Sequence, residues 1–191
     1  NGSAWTAVNS MNTARRIGPR GSSVGANSSG GAFYAGGIAS PGTVGNTETW
    51  DGTSWTETGD LNTVRYNSAG AGNSTNSIVS AGTTPGSSYT AHTEEFSAGV
   101  PIGAWATSAD MNNSNFGMGG DGAVSTAIAS GGANTPSDKT SKCETFNGTS
   151  WTEQGNMNTG KYGGASAGTT TAGLAFGGEP ASPSRADSET F

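Results

Sequence analysis

The tryptophans of this chain fall at a nearly constant interval, and this interval limits the fold more than any other feature. Trp5, Trp55, Trp105 and Trp151 are separated by 50, 50 and 46 residues. Each is followed six residues later by Met or Leu and then by Asn, in the phrases MNTARR, LNTVRY, MNNSNF and MNTGKY. Self-similarity at a fixed period of a few tens of residues indicates stacked copies of one supersecondary unit. We therefore interpret the chain as four copies of such a unit.

The order of residues within one copy predicts about four short β-strands. A small-residue stretch (strand a) precedes an apolar run ending in two small residues (strand b), then Glu-x-aromatic (strand c), then the Trp (strand d). Asp51-Gly52 and Asn147-Gly148 predict tight turns between strands c and d, because these pairs tolerate positive φ. No stretch has a helical period. Gly and Ala in strand a predict close approach of the innermost strands.

The two ends of the chain match the two halves of one internal sequence motif. SETF at 188–191, followed by NGSAW at 1–5, nearly reproduces the internal ETFNGTSW at 144–151. We therefore predict that residues 1–8 supply the outermost strand of the fourth sheet and close a ring. The predicted single domain spans 1–191, with units at about 9–58, 59–108, 109–154, and 155–191 plus 1–8. If the chain is a window from a longer tandem array, the ring has more units.

The same phrases resemble the kelch repeat, in which a strand ending in double glycine precedes an acidic residue, an aromatic residue and a Trp. AFYAGG, SIVSAG, AIASGG and GLAFGG carry the first part, and ETW, EEF, ETF and ETF carry the second. The resemblance implies an all-β, four-bladed kelch-like β-propeller, closed by the N-terminal strand joining the C-terminal blade. Ala81-Gly82 departs from the double glycine, and Trp50 and three Phe stand where Tyr is usual. Kelch rings commonly have more than four blades.

MNTARR, WDGTSW and AGLAFGG are also similar to kelch-like repeats in structural and tail-fibre proteins of marine bacteriophages. This resemblance implies a virion-surface or extracellular location and a host-contact role. The implied partners are virion or surface proteins, with a host glycan as a further candidate.

The loops between strands b and c vary most between copies, and each contains proline. In a four-stranded antiparallel blade these loops share one face with the links between strand d and the next strand a. Divergent, rigid loops on a constant scaffold are typical of a binding surface. Tyr89 is predicted to stack on a sugar face while the other candidates supply hydrogen bonds. The predicted ligand-binding residues are Tyr89, His92, Asp138, Lys139, Arg185 and Asp187. The alternative is that they are ordinary solvated loop residues.

A second recurring set pairs a basic or polar residue with a glutamate in every copy. Its members are Arg15, Arg65, Asn115 and Lys161, with Glu48, Glu94, Glu144 and Glu189. One interpretation is a cationic ring that holds an anion. The other is structural pairing within each copy, which recurrence in every repeat favours.

Composition excludes several functions. A net charge of −6 gives no electrostatic footprint for nucleic acid, and no apolar run is long enough for a membrane span. One Cys and one His exclude an internal disulfide and a multi-histidine metal site. No nucleophile motif accompanies His92, so we predict no enzyme activity and no cofactor. A soluble carbohydrate-binding lectin is the alternative function. Less favoured is a glycan-cleaving enzyme using two of Asp60, Asp110 and Asp121.

Overall fold

The all-β class is confirmed. A computed structural model describes residues 4–20, 31–99, 103–179 and 186–191. These residues contain eighteen β-strands and no helix, and consequently none of them forms an apolar helix long enough to cross a membrane. All pairs between the named strands are antiparallel.

The strands form one main sheet per repeat. Sheet 1 contains β1 (Phe33–Ala35), β2 (Thr47–Trp50) and β3 (Trp55–Thr58). Sheet 2 contains β4 (Ala69–Gly72) and β5 (Asn76–Ser80), then, after a small hairpin of β6 (Thr83–Thr84) and β7 (Ser88–Tyr89), β8 (Thr93–Ser97) and β9 (Ala104–Ser108). Sheet 3 contains β10 (Gly119–Asp121) and β11 (Ile128–Ser130), then, after a hairpin of β12 (Ala133–Thr135) and β13 (Asp138–Lys139), β14 (Cys143–Phe146) and β15 (Trp151–Glu153). Sheet 4 contains β16 (Ala165–Thr169), β17 (Ala172–Phe176) and β18 (Ser188–Thr190).

The predicted turns between strands c and d are present and set the register. Asp51 Oδ1 accepts hydrogen bonds from the backbone N–H groups of Thr53 and Ser54, at 2.7 and 2.8 Å. Gly52 has a φ of 104°, which a glycine adopts without strain. This turn places Trp50 of β2 directly opposite Trp55 of β3. The equivalent turns at Asn147 and Gly148 place Phe146 opposite Trp151.

The small residues of strand a allow neighbouring sheets to approach closely, as predicted. β10 contacts both β4 and β16. A Cβ added to Gly119 would lie 2.4 Å from the Oγ of Ser166, and one added to Gly120 would lie 3.0 Å from the Gly70 nitrogen. Larger side chains at these positions would therefore push the sheets apart. The first strand of repeat 1 would fall partly in 21–30, outside the described residues.

Successive repeats are joined by the same backbone hydrogen bond. The Gly163 N–H donates to the Gly117 carbonyl at 2.9 Å, and the Gly117 N–H donates to the Asn67 carbonyl at 2.7 Å. The Asn67 N–H in turn donates to the Ile17 carbonyl at 2.9 Å. Each of these four residues lies two positions after the recurring basic or polar residue, and all four have positive φ. The sequence repeat therefore corresponds to a structural repeat, with the same hydrogen bond at each of the three junctions between consecutive repeats.

The core lies between the sheets and is built from the recurring aromatic pairs. Phe96 and Trp105 lie with ring centroids 5.3 Å apart, and Phe146 and Trp151 lie 5.2 Å apart. Trp105 also reaches the preceding sheet, where its Nε1–H donates to the Thr47 hydroxyl at 2.9 Å. A strand d tryptophan thus contacts strand c of its own sheet and strand c of the sheet before it.

The N-terminal segment differs from the prediction. Residues 4–10 form no strand, and Trp5 is fully exposed. β18 has no fourth strand beside it among the described residues, so sheet 4 is three-stranded and the expected ring closure is not formed here. In sheets 2 and 3 a continuous chain joins strands c and d. The strand that we expected to complete sheet 4 would instead come from the other end of the chain, at a larger cost in loop entropy.

Candidate functional site

The b–c loops begin next to a recurring residue that sequence analysis did not select. In each repeat, the residue after the basic or polar position bridges to the first residue of the loop. These bridges are Arg16–Ile38, Tyr66–Thr83, Phe116–Ala133 and Tyr162–Glu179. Three of the four residues that meet the loops are aromatic, so the face that carries the b–c loops also carries a set of aromatic rings.

Tyr89 stacks on one of these rings. The rings of Tyr89 and Phe116 lie 4.4 Å apart, with an angle of 6° between their planes. Phe116 in turn meets Tyr162 edge to face, at 5.3 Å and 62°. Aromatic pairs in these arrangements stabilise each other beyond the area that they bury. Because Tyr89 is half-buried, part of this row of three rings remains accessible.

Two cations flank the third ring. The Lys139 Nζ lies 5.1 Å from the centroid of Tyr162, and the Arg20 guanidinium carbon lies 5.7 Å from it, both within range of a cation–π contact. Arg20 also donates to the carbonyl of Gly163 at 3.1 Å and to the Asn67 Oδ1 at 3.2 Å. We call these five residues the aromatic–cation cluster: Arg20, Tyr89, Phe116, Lys139 and Tyr162.

Tyr89 and Lys139 occupy equivalent positions in two hairpins. Tyr89 ends β7 and pairs with Thr83, while Lys139 ends β13 and pairs with Ala133. Each covers the aromatic residue of the following repeat. The scaffold is therefore constant at this place, and the side chain that it presents changes from an aromatic ring to an ammonium group. This arrangement can hold a planar or apolar ligand surface beside a negatively charged or hydroxyl-rich group.

The other predicted site residues are distributed differently. Asp138 is exposed beside Lys139 and accepts a hydrogen bond from Asn134 Nδ2 at 2.9 Å. His92 and Asp187 are equivalent residues of repeats 2 and 4, and their backbone carbonyls accept from Arg65 and Lys161. His92 and Asp187 therefore lie immediately before strand c, outside the aromatic–cation cluster. Arg185 lies outside the described residues.

Three members of the cluster were not predicted from the sequence. Phe116 and Tyr162 had a readable signal, since an aromatic residue follows the basic or polar position in three of four repeats. Arg20 had none, because its contacts join residues 143 positions apart in the chain.

The recurring basic and acidic residues form ion pairs within repeats 1, 2 and 4, in agreement with the favoured interpretation of a structural role. Arg15 pairs with Glu48 at 3.1 Å and Lys161 with Glu189 at 3.2 Å, and Arg65 pairs with Glu94. Burial lowers the pKa of the Arg65 guanidinium, and the neighbouring Glu94 carboxylate partly opposes this shift. In repeat 3, where Asn115 replaces the cation, Glu144 keeps the recurring hydrogen bond from the Asn112 side-chain amide and accepts a further one from the Asn113 side-chain amide. Each glutamate thus ties strand c to the segment that precedes strand a.

The remaining polar groups are dispersed. The three aspartates considered for glycan cleavage do not share an environment, since Asp60 and Asp110 are exposed whereas Asp121 is buried in β10. Asp121 Oδ2 accepts from the Gly168 N–H at 2.6 Å. Within the described ranges, no three His, Cys, Asp or Glu side chains are grouped so as to hold a metal ion.

The comparisons with known proteins concern the fold. No protein-family model matches the chain, and no curated protein is matched either. Among solved structures the chain is similar to the structure of YjhT, with a TM-score of 0.63 and 17% sequence identity. The similarity covers 75% of this chain but 48% of YjhT, so the chain spans about half the length of that structure. At this identity the likeness shows a shared fold alone.

Proposed function

We propose that this chain is a four-bladed, kelch-like β-propeller that serves as a non-enzymatic structural or adhesion module of a virion or extracellular surface. In this proposal each main sheet is one blade, and the b–c loop face meets a host surface or neighbouring subunits. The repeated hydrogen bonds between equivalent residues support the ring arrangement, as does the contact of Arg20 with Gly163 and Tyr162 of the fourth repeat.

The observation that carries the functional proposal is the pair of equivalent hairpins. Tyr89 and Lys139 present different chemistry from one scaffold position, each beside an aromatic ring of the next repeat. The fold depends on the hydrogen-bonded backbone of these hairpins, but it does not require the side chains at Tyr89 and Lys139 to differ. Loops that vary most, carried on one face of a repeated scaffold, are typical of recognition surfaces.

A direct experiment is quantitative mass spectrometry of purified particles and of surface fractions from the source organism. The proposal predicts this chain as a stoichiometric surface component, accessible to antibodies raised against the b–c loops. Absence of the chain from particles and surface fractions would contradict the proposed structural role.

A soluble lectin is the second candidate, favoured by the half-exposed ring of Tyr89, which stacks on Phe116. Glycan-array binding by the purified chain, lost in Tyr89→Ala, would favour it. Ser88→Ala is the matched control, because Ser88 is exposed on the same hairpin and its backbone carbonyl, which accepts from Thr84, is kept. Binding that survives Tyr89→Ala would place the ligand elsewhere. Release of reducing sugar, abolished by one Asp→Asn change, would instead indicate a glycan-cleaving enzyme.

A further inference from the structure

Repeat 3 keeps the buried glutamate of the scaffold but replaces the cation that accompanies it. In repeats 1, 2 and 4 this glutamate pairs with Arg15, Arg65 or Lys161. The equivalent residue of repeat 3 is Asn115, and among the described residues no basic side chain pairs with Glu144. Glu144 is 1% exposed. A carboxylate is costly to bury in this way, because it loses its hydration without gaining an opposite charge.

The side-chain oxygen of Asn115 is also without a donor. Asn115 is 2% exposed, and no described residue donates a hydrogen bond to its Oδ1. Asn115 and Arg65 begin from equivalent positions of the repeat, from which the Arg65 side chain runs to the glutamate of its own strand c. An Asn side chain ends short of the place that a guanidinium reaches. Repeat 3 therefore directs a neutral oxygen, rather than a positive charge, toward its buried carboxylate.

A backbone carbonyl in repeat 3 lacks the same cation. The His92 carbonyl of repeat 2 accepts both from a backbone N–H and from the Arg65 guanidinium. The Asp187 carbonyl of repeat 4 accepts in the same way from a backbone N–H and from the Lys161 ammonium. The equivalent Lys142 carbonyl of repeat 3 keeps the backbone donor at 2.9 Å, but no described side chain donates to it. Because a carbonyl oxygen has two lone pairs, it can still bind a cation.

A second carbonyl belongs to the same set. The Thr63 carbonyl accepts from the Arg65 Nε–H at 3.1 Å, and its equivalent in repeat 3 is the Asn113 carbonyl. By this equivalence, the place of the guanidinium is bordered in repeat 3 by one carboxylate, one amide oxygen and two backbone carbonyls. Oxygen ligands of these kinds suit hard cations. A single carboxylate balances a single positive charge, which favours a monovalent ion over Ca²⁺ or Mg²⁺.

The nearest ammonium group reaches Glu144 only through an amide. The Lys142 Nζ donates to the Asn113 Oδ1 at 3.0 Å and pairs with the exposed Glu153 at 3.3 Å. The Asn113 Nδ2 in turn donates to the Glu144 Oε1 at 3.0 Å. An amide supplies a hydrogen bond but no net charge, and the charge of Lys142 is shared with Glu153. The hydrogen bonds of Glu144 are thus made, whereas its buried charge is not balanced.

We propose that repeat 3 binds a monovalent cation of potassium size between the Glu144 carboxylate and the Asn115 Oδ1, in place of the side-chain cation of the other repeats. The Lys161 ammonium takes this place in repeat 4, and K⁺ is close to an ammonium ion in size. The bound ion ties strand c of sheet 3 to the segment before strand a, as Lys161 does in sheet 4. This site has a structural role and is independent of ligand binding by the b–c loop face.

Thermal unfolding of the wild-type chain in different salts tests the proposal without any substitution. Tm is measured in KCl, NaCl and choline chloride at equal ionic strength, because choline is too large to enter the site. An ion that binds only the folded state stabilises it by mass action, so Tm in KCl should exceed Tm in choline chloride by about 3–6 °C when K⁺ exceeds its dissociation constant about tenfold. Equal Tm in all three salts overturns the proposal, and a rise in NaCl alone overturns the assignment to an ion of potassium size.

Two substitutions of Asn115 place the effect at this site. Asn115→Lys supplies the ammonium found in repeat 4, and we expect it to remove the difference between KCl and choline chloride. Asn115→Leu keeps the side-chain volume but removes Oδ1, and it should also remove the difference. Asn76→Leu is the control, because Asn76 is exposed on β5, and the difference should be kept. A full salt difference in Asn115→Lys would show that the ion binds elsewhere and overturns the proposal.

A crystal grown in rubidium chloride gives a direct readout. Rb⁺ resembles K⁺ in size and charge, and it scatters X-rays anomalously. We expect an anomalous peak in contact with the Glu144 carboxylate and the Asn115 Oδ1 in the wild-type chain, and no peak there in Asn115→Lys. A wild-type crystal without a peak at this position overturns the proposal.

Discussion

The guanidinium of Arg65 pairs with the carboxylate of Glu94 inside repeat 2, and both side chains are almost fully buried. Glu94 also accepts from the Asn62 backbone N–H at 2.7 Å and from the Thr63 N–H at 3.1 Å. One carboxylate thus holds the link between sheets 1 and 2 against strand c. The same contacts recur at Glu48 with Arg15, so this ion pair is a scaffold element of the repeat.

Removing the acid from this pair should be strongly destabilising. Glu94→Ala leaves a buried guanidinium and two backbone donors without their acceptor, and we expect the free energy of unfolding to fall by about 3–5 kcal/mol. Urea denaturation measures this change. The control is Glu153→Ala, which breaks the exposed pair with Lys142 and should cost less than about 1 kcal/mol. Equal losses for the two variants would contradict the structural role of the buried pair.

The tryptophan of strand d should stabilise the junction between sheets through its indole N–H. Trp105→Phe keeps most of the ring contact with Phe96 but leaves the buried Thr47 hydroxyl without its donor. We expect a loss of about 1–3 kcal/mol in the free energy of unfolding. Trp55 of sheet 1 is only half-buried, so Trp55→Phe should cost less. A larger loss for Trp55→Phe would show that the packing between sheets 1 and 2 does not depend on this hydrogen bond.

Ile17 occupies a backbone conformation that suits glycine. Its φ is 56°, and the equivalent residues Gly117 and Gly163 have φ values of 68° and 75°. A β-branched residue is strained in this region, so Ile17→Gly should raise the free energy of unfolding by up to about 1 kcal/mol. The backbone carbonyl of Ile17, which accepts from Asn67, is kept in this variant.

Val64→Gly is the control for this prediction, because Val64 is outside the set of residues with positive φ. There the substitution removes a side chain without relieving strain, and we expect destabilisation. If Ile17→Gly lowers Tm as Val64→Gly does, the strain argument fails.

Much of the fold could be predicted because the same pattern of strands and turns recurs in four copies in the sequence. Strand c was readable from Glu-x-aromatic, the c–d turns from Asp-Gly and Asn-Gly, and the close approach of strand a from its glycines. The hairpins in the b–c loops were not predicted, since Thr-Thr and Ser-Tyr carry no pattern long enough to indicate a strand. Tertiary context decides such two-residue pairings.

The candidate site was less predictable than the scaffold. The sequence predicts Tyr89 and Lys139 as loop residues on one face, but in the structure they contact Phe116 and Tyr162, which belong to the repeated segment. Phe116 and Tyr162 therefore have a second role that the repeat pattern does not indicate. Each belongs to the repeated scaffold and also contacts the variable residue of the preceding hairpin. The sequence predicts His92 and Asp187 as binding residues from their side-chain chemistry, whereas in the structure their backbone carbonyls accept hydrogen bonds from Arg65 and Lys161.

The stability of sheet 4 should depend on pH through Glu189. Partial burial raises the pKa of this carboxyl, but the Asn158 N–H and the Lys161 ammonium together outweigh burial and hold the pKa below its ordinary value of 4.5. A carboxyl with a lowered folded-state pKa contributes stability above its unfolded pKa and loses it as the pH falls through the folded value. We therefore expect the stability difference between wild type and Glu189→Gln to be full near neutral pH and to shrink below about pH 4.5. Urea denaturation of both proteins between about pH 3 and pH 7 measures this difference. Asn158→Ala keeps the backbone donor and removes the side-chain donor 3.0 Å from Glu189, so in this variant the difference should be smaller near neutral pH and its loss should be complete at a higher pH. A wild-type-to-Gln difference that stays constant over the whole range would show that the charge of Glu189 does not hold β18 to the preceding link.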